Sequence, residues 1–207
     1  MNTQLLPADQ PEAIQLAAEV VRAGGLVVFP TDTLYGVGCD PCQPAALQKI
    51  YAAKGRSAAK AIPVLISSPD QLESLVTVVS SQARRLMESW WPGALTLVLP
   101  KKDTLPLELT PYPGLAVRMP DHPVALALLA QTGPLAVTSA NLSDHENPRD
   151  AQGVMAQLNG TVNLVLDGGT LRGGQASTII DCTGSQPKLL REGPIAFTAI
   201  QERWSSI

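Results

Sequence analysis

The sequence predicts an α/β fold, a twisted mixed sheet flanked by helices. Three observations carry this expectation. Short apolar runs of buried-strand length recur between segments whose apolar residues have helical spacing. Helices and strands are interspersed without strict alternation, which fits a mixed sheet better than a purely parallel, doubly wound one. Several apolar runs end in polar turns rich in glycine and in hydroxyl, amide or cationic side chains. In open α/β sheets ligands gather beyond such strand ends.

The first helix begins near Pro11, which suits a first turn; Ile14, Ala17, Ala18 and Val21 recur at helical spacing, and Gly24-Gly25 ends it. A strand over residues 26–29 leads into a Thr/Gly loop, and a helix from Pro44 carries Leu47, Ile50 and Tyr51 on one face. Lys54 and Arg56 follow its end. Residues 62–66 read as a short buried strand, Ser68-Pro69-Asp70 as a helix start, and 82–90 as a helix that Trp91-Pro92-Gly93 breaks. Residues 95–99 and 115–117 are strand-like, and the stretch between them, with three prolines over 106–114, is a loop. A helix over 123–130, a strand over 135–138 and a helix over 151–158 come next. Strands over 162–166, 178–180 and 188–190 and a helix over 194–204 complete the chain. The polar segment 144–149 reads as a mobile loop or lid.

At 207 residues and 45% hydrophobic content the chain can bury a full core, and it reads as a single domain over 1–207. A formal charge of -3 argues against a protein that coats nucleic acid, since such affinity comes from clustered cations. No apolar run approaches the roughly 20 residues of a membrane helix, and Asp9 and Glu12 precede any hydrophobic stretch, unlike a signal peptide. A cytoplasmic protein without a membrane contact is expected. Three cysteines make no disulfide framework. Cys39 and Cys42 have C-x-x-C spacing without a second paired set of ligands, so they read as small core residues and a turn, and no metal site is expected.

Lys54-Gly55-Arg56 places two cations around a flexible residue, so both heads can converge on one phosphate chain; the alternative is a helix end capped by favourable cations. Ser139 and Asn141 follow the apolar residues 135–137, as ligand contacts or as ordinary turn formers. Arg118 can grip a carboxylate in two-pronged fashion or form a surface ion pair. Together with Ser177-Thr178 these runs suggest a polyanion site, and a nucleoside triphosphate is its simplest guest. No G-x-x-x-x-G-K-[ST] is present, and the run over 168–174, which includes Arg172, reads as a turn because it lacks the lysine and the following helix. Asp121-His122 without a placed serine makes no hydrolytic triad.

The run Val27-Val28-Phe29-Pro30-Thr31-Asp32-Thr33-Leu34-Tyr35-Gly36-Val37-Gly38 resembles the signature of the YrdC-like family of L-threonylcarbamoyladenylate synthases, short single-domain type. Further blocks match in order: Lys54-Gly55-Arg56, Trp91-Pro92-Gly93-Ala94-Leu95-Thr96, Val117-Arg118-Met119-Pro120-Asp121-His122-Pro123, Thr138-Ser139-Ala140-Asn141-Leu142-Ser143, Ser177-Thr178-Ile179-Ile180-Asp181 and Leu190-Arg191-Glu192-Gly193.

The resemblance implies a concave, positively charged cavity. It implies a reaction joining L-threonine, bicarbonate or CO2, and ATP into threonylcarbamoyl-AMP and pyrophosphate, for tRNA threonylcarbamoyladenosine modification. By the same resemblance Lys54 and Arg56 serve the phosphates as catalytic residues, and Ser139, Asn141 and Arg191 serve the rest of ATP. Thr33, Arg118 and Ser177 are assigned to threonine, with Lys60 and Tyr35 beside them. Mg2+ is expected to arrive with ATP, held by phosphate oxygens and water. A threonylcarbamoyl transferase complex is the implied partner.

Two departures touch the site: the family's usual proline after the arginine is absent from Ser57-Ala58-Ala59-Lys60-Ala61-Ile62-Pro63, and its usual glycine after Ser143 is Asp144. They leave open a non-catalytic paralogue that binds double-stranded RNA or tRNA weakly. The acidic total and 4% aromatic content speak against that alternative.

Overall fold

The computed structural model describes residues 2–57, 59–171 and 173–205, so Ala58 and Arg172 lie outside the described residues. The elements run β1 (Gln4–Pro7), α1 (Pro11–Arg22), β2 (Val27–Phe29), β3 (Gly36–Cys39), α2 (Pro44–Lys54) and β4 (Val64–Leu65). A 3-10 turn (Pro69–Ser74), α3 (Ser81–Trp90), β5 (Leu95–Pro100), β6 (Gly114–Arg118), α4 (Pro123–Thr132) and β7 (Leu135–Ser139) follow. The chain closes with α5 (Ala151–Leu158), β8 (Leu164–Asp167), β9 (Thr178–Asp181), β10 (Lys188–Arg191) and α6 (Phe197–Ser205).

These strands form one ten-stranded mixed sheet in the order β1-β8-β2-β3-β7-β4-β6-β5-β9-β10. Helices cover both faces. Side chains alternate along each strand, so Val27 and Phe29 join the core under α1 and α4 while Val28 joins the core with α2, α3, α5 and α6. The same alternation runs through β4 and β7, where Leu65, Leu135 and Val137 face α1 and α4, and Val64 and Ala136 face the other layer.

Two strands were not expected from the sequence. β1 is a short edge strand, parallel to β8, and most of its residues are exposed, so it carries no apolar alternation to read. β3 lies inside the segment taken for a Thr/Gly loop, yet it pairs antiparallel with both β2 and β7. Its glycines serve packing rather than a turn: a Cβ on Gly36 would sit 2.6 Å from Cγ1 of Val137, and one on Gly38 3.1 Å from Cε1 of Phe29. Other elements shift at their ends. The strand expected over 62–66 keeps only Val64–Leu65, the helix start at Pro69 is a 3-10 turn, and the last helix begins at Phe197.

Candidate active site

A cavity of about 310 Å³ opens on the sheet face that α1 and α4 share, and its floor is made of strand residues. Thr96 sits between Leu95 and Leu97, which point to the other face, so it points into the cavity; Arg118 follows the buried Val117 in the same way. Leu65, Val137 and Ile179 complete the floor. The site gathers at strand ends: Arg118, Ser139 and Arg191 close β6, β7 and β10, Thr31 follows β2 and Ser177 precedes β9, and strand alternation turns Thr96 and Arg118 onto this face.

The loop after β2 forms one wall. Thr31 Oγ1 accepts from the main-chain N–H groups of Thr33 and Leu34, both at 3.2 Å, and donates to Leu34 O at 2.6 Å, a hydroxyl turn that fixes the loop. Thr33 Oγ1 thereby meets Nη1 of Arg118 at 2.8 Å. The Arg118 guanidinium also donates from Nε to Gly93 O at 2.8 Å and from Nη2 to Asp32 Oδ1. Burial lowers its pKa, and Asp32 opposes the shift, so the charge persists as one half of a buried ion pair.

The facing wall comes from β9 and β10. Ser177 Oγ lies 2.7 Å from Thr96 Oγ1 and accepts from Nη2 of Arg191 at 3.1 Å, while Nε of Arg191 donates to Ser177 O at 3.0 Å. Ser177 and Arg191, assigned to different substrates on the resemblance, are therefore bonded to each other.

At the end of α2, both readings of Lys54-Gly55-Arg56 hold in part. Gly55 ends the helix in the left-handed conformation (φ 59), which costs a glycine little, and the N–H of Arg56 closes back on Tyr51 O at 2.9 Å. That reversal sends the two cations apart. Arg56 lines the cavity, bonded to Ala61 O at 2.9 Å through Nη2, with its buried Nε unpartnered among the described residues.

Lys54 turns the other way. Its ammonium, 2% exposed, donates to Ser139 O, Asn141 O and Asn141 Oδ1, so its three N–H donors are used inside the protein. Burial, with Arg56 nearby, holds its pKa down to about 8. Asn141 is equally committed: Oδ1 also accepts from Ser139 Oγ at 2.6 Å, and Nδ2 donates to Leu142 O and His145 O at 2.9 and 2.7 Å. Neither Lys54 nor Asn141 lines the cavity, whereas Ser139 does. In this arrangement the donors of the Lys54 ammonium and the Asn141 amide go to protein acceptors, so of the three residues Ser139 is the one at the cavity wall. Lys60 is exposed and stands outside the cavity lining as well.

Tyr35 is fully buried, and its hydroxyl donates to Gly169 O at 2.8 Å and accepts from Gly168 N at 3.0 Å. Burial pushes its pKa up to about 12, so the phenol stays a neutral clamp on the segment at 168–169. The loop read as a mobile lid is tethered: Gln157 donates to Glu146 O at 3.0 Å and accepts from Leu142 N at 2.9 Å. Asp144 there has φ 66, the left-handed region that asparagine and aspartate tolerate better than most residues and that explains a glycine preference at the position.

Sequence reasoning missed Thr31, Thr96 and Asn147 as cavity residues, although the first two lie inside quoted motif blocks. The lining holds Arg56, Arg118 and Arg191 and no carboxylate. Among the described residues, ion pairs join only Arg118 to Asp32 and Arg203 to Glu88, which leaves Arg56 and Arg191 without carboxylate partners. Also among the described residues, no cluster of three His, Cys, Asp or Glu could hold a metal ion, and no helix is long and apolar enough to cross a membrane. Cys39 is buried and Cys42 exposed.

A family model described as telomere recombination (Sua5_yciO_yrdC) matches residues 19–193. A Bacillus subtilis protein named threonylcarbamoyl-AMP synthase is 41% identical over 202 residues, covering 96% of this chain and 58% of the relative. The crystal structure of Pyrococcus abyssi Sua5 complexed with L-threonine superposes with a TM-score of 0.93 at 37% identity, over 100% of this chain and 62% of that one. The crystal structure of Escherichia coli YciO superposes with a TM-score of 0.86 at 29% identity, over 96% and 99% of the two chains. This chain thus spans about three-fifths of the Bacillus and Pyrococcus relatives and nearly all of YciO. With its matched residues running from α1 past β10 and the cavity enclosed among them, the chain belongs to the Sua5/YciO/YrdC family.

Proposed function

We propose that this protein is an L-threonylcarbamoyladenylate synthase. The observation that carries the proposal is the cavity itself: three arginines and the hydroxyls of Thr31, Thr33, Thr96, Ser139 and Ser177 line it without one carboxylate. Such a lining suits a ligand that brings several negative charges, as ATP and a carbamate do together. The similarity to a threonine complex supports an amino acid as the second guest.

In the proposed reaction the threonine amine adds to CO2, giving a carbamate and releasing a proton. A carbamate oxygen then attacks the α-phosphate of ATP and pyrophosphate leaves. Charge grows on phosphate oxygens in that step, so the protein's task is alignment and electrostatic stabilisation. Arg56, the cation with an unpartnered Nε, faces the phosphates together with Ser139 and Arg191. Arg118, Thr33 and Ser177 hold the threonine, the guanidinium taking its carboxylate. Lys54 and Asn141 act one step back, by fixing Ser139. A carboxylate-free lining fits Mg2+ carried by phosphate oxygens and water, which would offset the charge of the triphosphate.

The product would pass to a threonylcarbamoyl transferase complex acting on tRNA. Pyrophosphate release tests the reading: it should require ATP, L-threonine and bicarbonate together. Equal release without threonine would mark a plain nucleotide hydrolase.

A further inference from the structure

Between the two ion pairs found among the described residues, Arg203–Glu88 is exposed and long at 4.0 Å, whereas Arg118–Asp32 is largely buried, with side chains 7% and 19% exposed. A buried ion pair is a weak source of stability, because desolvating both charges cancels much of their attraction. What such a pair does well is fix geometry. Asp32 Oδ1 takes Nη2 of Arg118 and, at 3.2 Å, the main-chain N–H of Asp121, so the carboxylate is itself held between two loops. Gly93 O holds Nε and Thr33 Oγ1 holds Nη1. Three anchors on three nitrogens fix the guanidinium plane and still leave an N–H on each terminal nitrogen for a ligand.

Asp32 is not in the cavity lining, whereas Arg118, which it holds, is. We propose that Asp32 is a positioning residue that aims the Arg118 guanidinium at the carboxylate of the amino-acid substrate and so sets amino-acid affinity rather than nucleotide affinity. This inference rests on the synthase reading given above. Its physical basis is that a two-pronged guanidinium–carboxylate contact depends on the orientation of a plane, and Nη2 is the corner of that plane that Asp32 holds.

The test measures KM for threonine and for ATP, by pyrophosphate release, in the unmodified protein, Asp32→Asn and Asp32→Glu. Asp32→Asn keeps the shape but loses the carboxylate charge and with it the ion pair, and should raise KM for threonine about tenfold while KM for ATP changes less than about twofold. Asp32→Glu keeps the charge but displaces the carboxylate by a methylene, and should move the same ratio in the same direction by a smaller factor. A merely structural role would lower kcat through a reduced active fraction and leave both KM values alone. If Asp32→Asn does not fold, the ratio in Asp32→Glu decides. An unchanged KM ratio in the folded variants overturns the positioning role. Pyrophosphate release by the unmodified protein without threonine would instead overturn the synthase reading, so the two failures are distinguishable.

Discussion

The Lys54 ammonium and the Asn141 side chain complete each other: Nζ donates to Oδ1 at 3.2 Å and to the Asn141 carbonyl, while both amide hydrogens of Asn141 go to the carbonyls of Leu142 and His145. Ser139, whose hydroxyl reaches the same Oδ1 at 2.6 Å, is the member of the group that lines the cavity. The end of α2 and the end of β7 are thus locked together by a polar network in which every N–H of the Lys54 ammonium and the Asn141 amide is spent inside the protein. In a buried network of this kind each deletion strands its partners.

Asn141→Ala should therefore lower stability by about 3 kcal/mol, since several buried groups lose partners at once. Urea denaturation measures it. A variant as stable as the unmodified protein but selectively weakened for ATP would return Asn141 to the nucleotide site.

Lys54 gives that network a pH signature. Its folded pKa, lowered from 10.5 to about 8, lies below the unfolded value, so between these limits the unfolded chain binds the proton more tightly. Its contribution to stability rises with pH through that window. Against Lys54→Met, which cannot titrate there, the unmodified protein should gain stability between pH 8 and 10, approaching about 1.4 kcal/mol per pH unit. Denaturant unfolding of both proteins across that range would show it, and a constant difference would contradict it.

Tyr35→Phe removes a hydroxyl that both donates and accepts inside the fold, at Gly169 O and Gly168 N. The expected loss is about 1–3 kcal/mol. The sign of its pH dependence opposes that of Lys54: a phenol raised from 10 to about 12 holds its proton longer in the folded state, so its contribution is full below pH 10 and is lost between 10 and 12. Thermal melts of the two proteins should converge over that range.

Arg56→Ala should abolish synthesis while leaving the fold intact. The residue is half-buried at a helix end, and among the described residues the guanidinium is bonded through Nη2 alone, to Ala61 O. Losing a cation from a developing phosphate charge should cost about a hundredfold in kcat. A folded mutant with near-normal turnover would mean that Arg56 only shapes the wall.

Much of this molecule was legible in advance, and the failures share one cause. The helices at Pro11, Pro44 and Pro123 declare themselves through proline and apolar period, and each is present. Strand β3 escaped because Gly36 and Gly38 read as turn formers, and nothing local shows that the space over them is filled by Val137 and Phe29. The site residues tell the same story. Thr33, Arg118, Ser139, Ser177 and Arg191 meet in one cavity, as the motif blocks suggested. Whether a lysine two residues from Arg56 faces the ligand or the protein depends on the left-handed turn at Gly55, and residue type does not reveal that. Thr96 was unmarked because its role comes from alternation along β5 beside a neighbour, Ser177, that is 81 residues away in sequence.

In the proposed reaction one molecule each of threonine, bicarbonate and ATP end in one adenylate. The most direct measurement follows carbon-labelled bicarbonate into product by mass spectrometry after incubation with ATP and L-threonine. A species with the mass of threonylcarbamoyl-AMP that carries the label should form in step with pyrophosphate and be absent when threonine is left out. Pyrophosphate formed without any labelled adenylate, or an unlabelled adenylate of threonine itself, would contradict it.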